Sequence, residues 1–138
     1  MIIVDTGMWL ALANTNDRWH KLAVERLENI SEALITTWPV LTETCYFLLN
    51  QFGYGSLEKF LKLHQKGAFS TFVLSDAHAP RIQTLMKKYK DIPMDLADAS
   101  LVITAEELGH GRILTTDRKD FQIYRWKDQH AFENILWS

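Results

Sequence analysis

The sequence predicts an α/β fold in which a mainly parallel sheet is covered by helices on both faces. Two observations carry this prediction. Short apolar segments, typical of buried strands, alternate with longer segments of helical periodicity. No internal repeat or linker interrupts this alternation over the 138 residues. Strands of a parallel sheet are continuously apolar because both faces are covered. We therefore expect residues 1–138 to form a single domain.

The first half of the chain is predicted to contain two strands and two capped helices. The strands cover 2–4 and 33–36, a short apolar helical turn covers 8–13, and the helices run to about Ile30 and Asn50. Asn16 or Asp17 can cap the first helix and Thr37 the second, since such side chains accept the free N–H groups of a first turn. Pro39 falls in the first turn of the second helix, where a missing N–H costs nothing.

The second half is predicted to contain three further helices and two or three strands. Gly53 to Gly55 form a loop, and Ser56 caps a helix that runs to about Lys66. The remaining segments are strands at 68–74 and 112–115, helices at 76–90 and 95–108, and a last strand near 132–136.

Composition and charge exclude several classes of protein. The longest run without a charged residue, Thr44 to Leu57, has 14 residues and is interrupted by two glycines, so we expect no membrane span. Cys45 is the only cysteine, which excludes an internal disulfide and suits a reducing cytoplasm. The net charge of -2 does not indicate a polyanionic partner. Charge alone favours a small-molecule enzyme or an interaction module.

Three acidic residues stand just beyond predicted strands in otherwise uncharged surroundings. Asp5 follows the first strand and is the only charged residue before Asp17. Glu43 lies one turn into the helix after the second strand, and Asp117 follows the strand at 112–115. Because ligands bind at the carboxyl ends of the strands in open α/β sheets, we expect these side chains to face one crevice.

Helix geometry indicates that Asp98 belongs to the same group of acids. At about 100° per residue, the side chains near Asp98 on the helix surface are apolar, namely Leu101, Val102 and Ala105. The opposite arc, which we expect to be solvated, is polar and holds Ser100, Thr104 and Glu107. Asp98 is therefore predicted to point inward from the apolar stripe.

Converging carboxylates indicate a divalent metal site. Two carboxylates about 4 Å apart repel each other by about 4 kcal/mol at an effective dielectric of about 20, so they take up protons or bind a cation. No cluster of lysines or arginines is placed to neutralise them. All-oxygen ligand sets suit Mg²⁺ or Mn²⁺, which activate water against a phosphodiester. The alternative for each acid taken singly is an ordinary helix cap or a salt bridge.

Other candidate sites have weaker support in the sequence. The five histidines are scattered without zinc-ligand spacing, and no glycine-rich phosphate loop follows a strand. Trp9, Trp19 and Trp38 recur at helical spacings, which favours packing in the core over stacking platforms for a ligand.

Four motifs resemble the PIN-domain family, and within it the VapC-like toxin ribonucleases of bacterial and archaeal toxin–antitoxin pairs. They are "IIVDTGMWLALA", "TTWPVLTETCYFLL", "MDLADASLVITAEELG" and "ILTTDRKDF". The match covers essentially the whole chain and implies a three-layer α/β/α sandwich with a metal-dependent nuclease site. The acids of that site match Asp5, Glu43, Asp98 and Asp117, which are the predicted catalytic residues and ligands of Mg²⁺ or Mn²⁺.

The resemblance also points to supporting residues. Thr115 matches the threonine that precedes the last acid by two positions, and Thr6 matches the residue after the first acid. Gly7 stands where many members have serine. Asp95 is predicted to be the N-cap of the helix that carries Asp98, with a structural role.

Basic residues beside the fourth acid are candidates for contacts to RNA. Arg118, Lys119 and Arg125 follow Asp117 and are predicted to bind RNA phosphates. Asp120 is expected to cap the turn or to pair with a base rather than to bind metal.

The predicted function is a metal-dependent endoribonuclease that acts as the toxin of a type II toxin–antitoxin pair in the cytoplasm. The implied partners are the RNA substrate, an antitoxin protein and a second copy of the chain in a homodimer, with no membrane. The helices at 39–50 and 56–66 are candidate contact surfaces unless they only pack in the core. Two alternatives stay open, a catalytically silent PIN domain that binds RNA or serves as a scaffold, and an RNA-processing nuclease without a toxin role.

Overall fold

The computed structural model describes residues 1–138 and confirms the predicted α/β/α architecture with a parallel central sheet. The strands are β1 (Ile2–Val4), β2 (Leu34–Thr37), β3 (Ser70–Phe72), β4 (Arg112–Leu114), β5 (Arg125–Trp126), β6 (His130–Ala131) and β7 (Glu133–Asn134). The helices are α1 (Thr6–Ala13), α2 (His20–Glu28), α3 (Trp38–Phe52), α4 (Tyr54–Gln65), α5 (Ala79–Lys88), α6 (Leu96–Leu108) and α7 (Arg118–Ile123). Short 3-10 turns cover Asp76–His78 and Ile135–Trp137.

The main sheet has five parallel strands in the order β3-β2-β1-β4-β7. From β1 the chain runs outward through β2 to β3 and then crosses back to β4 on the other side of β1. Because parallel crossovers are right-handed, α1–α4 cover one face and α5 and α6 cover the other. The strand order reverses between β1 and β4, and ligands bind at the carboxyl ends of such a pair.

Helix α6 is buried on both sides, so the predicted solvated arc is wrong for most of its length. Ser100 and Thr104 are fully buried among apolar neighbours, and only Glu107 of that arc is exposed. The buried hydroxyls have internal acceptors, since Ser100 Oγ donates to the Ala97 carbonyl at 2.6 Å and Thr104 Oγ1 donates to the Ser100 carbonyl at 2.8 Å. A helix that packs on β1, β2, α3 and α5 at once is exposed only near its two ends.

Two predicted helix starts are wrong, and both errors have local causes. Helix α2 begins at His20 without a side-chain cap, because Asp17 accepts the Trp19 N–H at 2.8 Å in a turn before the helix. Helix α4 begins at Tyr54, so the predicted loop is reduced to Gly53 and Ser56 caps nothing. Gly53 has φ 87°, a left-handed value that glycine adopts without strain and that breaks the chain between α3 and α4.

The remaining differences lie at strand and helix ends and in the tail. The turn predicted at 8–13 is a full helix from Thr6, and the strand predicted at 68–74 covers only Ser70–Phe72. In the tail, helix α7 and the antiparallel pair β5–β6 were not predicted, and the last strand is reduced to Glu133–Asn134. None of the helices has the length and apolar composition needed to cross a bilayer.

Candidate active site

Asp5 lies at the end of β1 and caps helix α1. Its Oδ1 accepts the Thr6 N–H at 2.7 Å, and its Oδ2 accepts the Thr115 hydroxyl at 2.9 Å. The residue is only 7% exposed. Burial raises the pKa of Asp5 to about 6, and the charges of Glu43 and Asp117 raise it as well, while the two hydrogen bonds oppose the rise. The first predicted acid is thus a buried carboxyl held between the first residue of α1 and the residue that follows β4.

Glu43 reaches the same place from helix α3. The Thr6 hydroxyl donates to Glu43 Oε1 at 2.7 Å, so Thr6 contacts two acids, one through its backbone and one through its side chain. Burial raises the pKa of Glu43, and the neighbouring carboxylate of Asp95 raises it further. Thr6, predicted only as a supporting residue, therefore links the first and second acids.

Asp98 lies in the first turn of α6 and is half-buried. Its Oδ2 accepts the hydroxyl of Tyr124 at 2.9 Å. Burial raises the pKa of Asp98 to about 8, and the charges of Asp95, Asp5 and Asp117 add to the effect. Only the Tyr124 hydrogen bond lowers it. Asp98 is therefore an acid whose surroundings disfavour its negative charge.

Asp117 follows β4 and caps helix α7, where its Oδ1 accepts the Asp120 N–H at 3.0 Å. The Asp117 N–H in turn donates to Thr115 Oγ1 at 3.0 Å, and the same hydroxyl donates to Asp5. Thr115 thus fixes the first and fourth acids relative to each other. Burial and the charge of Asp117 raise the pKa of Asp120, while the charge of Lys119 lowers it. Asp120 forms no salt bridge with a base, so the expected ion pair is absent.

Asp95 caps α6 as predicted, with its Oδ1 accepting the Asp98 N–H at 2.8 Å. Its charge also raises the pKa values of Glu43 and Asp98, so the cap residue lies beside the predicted metal ligands. The structure therefore brings together six acids, and we call them the acid cluster: Asp5, Glu43, Asp95, Asp98, Asp117 and Asp120.

No residue of the acid cluster forms a salt bridge. Of the three predicted RNA contacts, only Lys119 acts on the cluster, where it lowers the pKa of Asp120. The guanidinium of Arg118 lies 4.4 Å from the centre of the Trp137 ring. Arg125 Nη1 donates to three carbonyl oxygens at the end of α7. Contacts of these three residues with RNA stay predictions.

Two residues of the tail that position the site were not predicted, Tyr124 after helix α7 and Asn134 in β7. Tyr124 is fully buried, and its ring packs edge-on against Tyr89 and Phe121 at centroid distances of 5.0 and 5.1 Å. Asn134 binds the backbone of Thr115 on both sides, with its Nδ2 donating to the carbonyl at 2.9 Å and its Oδ1 accepting the N–H at 3.3 Å. No motif in the sequence marks either residue.

The structure gives a steric reason for glycine at position 7. A Cβ atom on Gly7 would lie 2.1 Å from Oγ1 of Thr116, far inside van der Waals contact. Thr116 therefore occupies the space that a side chain at position 7 would need, and it brings a hydroxyl to the same neighbourhood as Thr6.

The chemistry of the acid cluster fits a hard divalent cation. All its donors are carboxylate oxygens, and no lysine or arginine is paired with them. As the side chains stand, no three of them are arranged to hold one ion. Like charges in a partly buried site repel each other unless a cation or protons neutralise them.

Comparisons with known proteins agree with the architecture. The family model described as the PIN domain matches residues 2–127. Ribonuclease VapC26 of Mycobacterium tuberculosis is 26% identical over 124 residues, which cover 90% of this chain and 92% of VapC26. The crystal structure of M. tuberculosis VapC20, a toxin that cleaves the sarcin–ricin loop, superposes with a TM-score of 0.79. That likeness covers 86% of this chain and 92% of VapC20 at 18% identity, and it bears on the fold alone.

Proposed function

This chain belongs to the PIN domain family, and we propose that it is a Mg²⁺- or Mn²⁺-dependent endoribonuclease that hydrolyses RNA phosphodiester bonds. The observation that carries the proposal is the acid cluster, which gathers carboxylates at the carboxyl ends of β1 and β4 without a cationic partner. The ribonuclease named among its relatives supports the choice of RNA as substrate.

We propose that Asp5, Glu43, Asp98 and Asp117 hold the metal. A bound divalent cation supplies Lewis acidity that activates water and stabilises the leaving oxygen. The chain's own residues orient the carboxylates, since Thr115 holds Asp5 and Asp117, Thr6 holds Glu43, and Tyr124 holds one oxygen of Asp98. Asp95 and Asp120 are assigned as supporting residues that add negative charge beside the ligands.

The bases around the cluster divide into one strong and two weaker candidates for phosphate contacts. Lys119 is exposed and close enough to act on Asp120, so we propose it as the main contact to the RNA backbone. Arg118 and Arg125 would have to leave Trp137 and the α7 carbonyls, respectively, to contact RNA.

Cleavage of RNA by the purified protein tests the proposal. We expect Mg²⁺ or Mn²⁺ to support cleavage of total cellular RNA, EDTA to stop it, and Asp5→Asn to remove it without loss of the folded circular-dichroism spectrum. Cleavage that persists in EDTA or in Asp5→Asn would contradict the assigned site. Binding of RNA without cleavage in either metal would favour the silent, RNA-binding alternative.

We further propose that the nuclease is the toxin of a toxin–antitoxin pair, acting in the cytoplasm as a homodimer. Helices α1–α4 enclose an apolar pocket of about 740 Å³, where exposed Phe52 and Leu63 contribute to the lining. Exposed apolar surface of this kind marks protein contacts, and we assign it to the antitoxin. Coexpression with the product of a neighbouring small reading frame should yield a complex in which RNA cleavage is inhibited. A processing nuclease would show neither toxicity nor such a partner.

A further inference from the structure

A second groove adjoins the acid cluster and has a different chemical character. It lies between the first turns of α3 and α6 and has a volume of about 440 Å³. Its lining combines apolar Trp38, Pro39 and Leu96 with acidic Glu43 and Asp95. Because Glu43 and Asp95 also belong to the acid cluster, the groove opens directly from the proposed catalytic site.

Both helices begin with a large apolar side chain that faces solvent. Trp38 is 54% exposed and Leu96 is 46% exposed, which corrects the expectation that Trp38 packs in the core. The residue before each of them is a capping residue, Thr37 or Asp95, so the helix starts do not require an apolar residue at these positions. The ring of His64 on α4 lies edge-on to the indole of Trp38, with 5.5 Å between the ring centroids. An indole held at the rim of a polar site is a surface for a flat ligand.

The groove fits the base of a nucleotide better than its phosphate. Its lining contains two carboxylates and no lysine or arginine, so a phosphate would be repelled there. Unpaired nucleobases stack on aromatic side chains, and their N–H groups donate hydrogen bonds to carboxylate oxygens. A nucleotide next to a scissile phosphate held at the acid cluster would reach this groove, because Glu43 is shared between the two.

On these observations we propose that the groove between α3 and α6 binds one unpaired nucleobase beside the scissile phosphate, with the indole of Trp38 as the stacking surface. The proposal rests on the proposed nuclease function. It predicts that the protein cleaves single-stranded or looped RNA in which the flanking base is free to leave its helical stack.

Steady-state cleavage of a labelled RNA that spans a cleavage site mapped with the wild-type protein tests the groove. Trp38→Ala should raise KM about tenfold, since base stacking contributes about 1–3 kcal/mol, and should change kcat by less than about threefold. Trp38→Phe should keep most of the affinity because it keeps an aromatic ring. Tyr54→Ala is the matched control, since Tyr54 on α4 is an aromatic residue exposed at 64% that does not line the groove, and it should leave both constants unchanged.

The same RNA with an abasic ribose at the flanking position identifies the base as the ligand. The abasic strand should raise KM for the wild-type protein about as much as Trp38→Ala does, and should have no further effect on Trp38→Ala. Equal KM values for wild type and Trp38→Ala, or additive effects of the two changes, would overturn the proposal. So would a Trp38→Ala variant that loses its oligomeric state but keeps its KM, because the groove would then be a protein contact.

Failure of the nuclease function can be separated from failure of the groove. If the wild-type protein cleaves no RNA with Mg²⁺ or Mn²⁺, the proposed function fails, and fluorescence anisotropy of the labelled strands then tests the groove alone. A tenfold weaker Kd for Trp38→Ala than for wild type would retain it as a base-binding site. Equal Kd values, or no binding, would overturn it.

Discussion

The molecule has two clusters of charged residues, and they differ in whether the acids have partners. In the acid cluster the carboxylates meet threonine and tyrosine hydroxyls and backbone N–H groups, and no base. Near the C-terminal end of α6, Arg81 binds Glu106 through two nitrogens, at 3.0 and 2.6 Å, and both Arg81 and Lys88 bind Asp128 at 3.2 Å. Acidic residues are thus paired with arginine and lysine at one site and have no basic partner at the other.

The pKa values follow this difference. Hydrogen bonds from Arg81 and Lys88 lower the pKa of Asp128, whereas burial and neighbouring carboxylates raise the pKa values of Asp5 and Asp98 to about 6 and about 8. Uncompensated, partly buried acids cost stability, and such a cost is typical of sites that serve a ligand. Compensated acids on the surface serve the fold. Charge compensation therefore distinguishes the acids that we propose as metal ligands from those bound by Arg81 and Lys88.

The largest difference is expected between the loss of the Asp98 charge, in the acid cluster, and the loss of the Asp128 charge, which Arg81 and Lys88 bind. Asp98→Asn should lower metal-dependent RNA cleavage by more than about 100-fold, because loss of even an outer-shell partner costs about 10–100-fold. Asp128→Asn should leave cleavage unchanged and cost about 0.2–1 kcal/mol of unfolding free energy, as exposed ion pairs do. Cleavage assays and urea denaturation measure the two effects. A loss of cleavage in Asp128→Asn as large as that in Asp98→Asn would remove the distinction.

Tyr124→Phe should have the next largest effect, because it removes only the hydroxyl that donates to Asp98. The carboxylate then loses its orientation and its one stabilising hydrogen bond, so the Kd for Mn²⁺ measured by calorimetry should rise by about 10–100-fold. Tyr89→Phe is the control, since the Tyr89 hydroxyl accepts the Arg125 N–H at 3.0 Å and contacts no acid. Tyr89→Phe should lower thermal stability without changing the Kd. Equal Kd values for all three proteins would show that Tyr124 contributes packing alone and does not orient Asp98 for metal binding.

Metal-free stability should fall as pH rises, in contrast to the behaviour of paired acids. The folded pKa values of Asp5 and Asp98 lie above the ordinary value of 3.8, so the folded state holds more protons than the unfolded state between about pH 4 and pH 8. Unfolding free energy therefore decreases across that window and levels off above it. In EDTA we expect Tm to be lower at pH 8 than at pH 5 by about 5 °C or more, and Mg²⁺ to raise Tm more at pH 8.

Asp98→Asn serves as the control for this titration. Without the ionisable group of Asp98, the decrease in Tm between pH 6 and pH 8 should become smaller than in the wild-type protein, while the decrease below about pH 6 that is due to Asp5 remains. A wild-type Tm that is constant or rises from pH 5 to pH 8, with a parallel curve for Asp98→Asn, would show that the acid cluster is compensated after all.

The smallest effect is expected at Asp95, which both caps α6 and adds negative charge beside Glu43 and Asp98. Asp95→Ala removes the cap of α6, and this loss should lower the unfolding free energy by about 1 kcal/mol. The same change removes the repulsion between Asp95 and its neighbours Glu43 and Asp98, which offsets part of that loss. Asp95→Asn keeps a capping oxygen and removes the charge, so it should be as stable as the wild type or more so. Urea denaturation in EDTA compares them. If Asp95→Asn is destabilised as much as Asp95→Ala, the charge of Asp95 contributes to stability and the assigned repulsion is wrong.

Local patterns were sufficient to predict the fold class, the first strand and the caps of α3 and α6. Thr37 and Asp95 precede strong helical segments, and each cap contact is made to a residue three positions along the chain. The same locality explains the errors at α2 and α4, where Asp17 and Ser56 have the right chemistry for a cap but a competing turn or an earlier helix start prevails. Cap preference is a weak local signal that tertiary packing overrides.

The sequence by itself determined which acids stand beyond strand ends, because apolar runs mark the strands and an isolated carboxylate in an apolar run is visible without coordinates. Only the tertiary structure decided which groups surround those acids. Thr115 bonds to Asp5 across 110 positions and Tyr124 to Asp98 across 26, and the exposure of Trp38 depends on how α3 and α6 meet. Periodicity reports the conformation of neighbouring residues, whereas partners, burial and charge compensation arise from segments that meet only when the chain has folded.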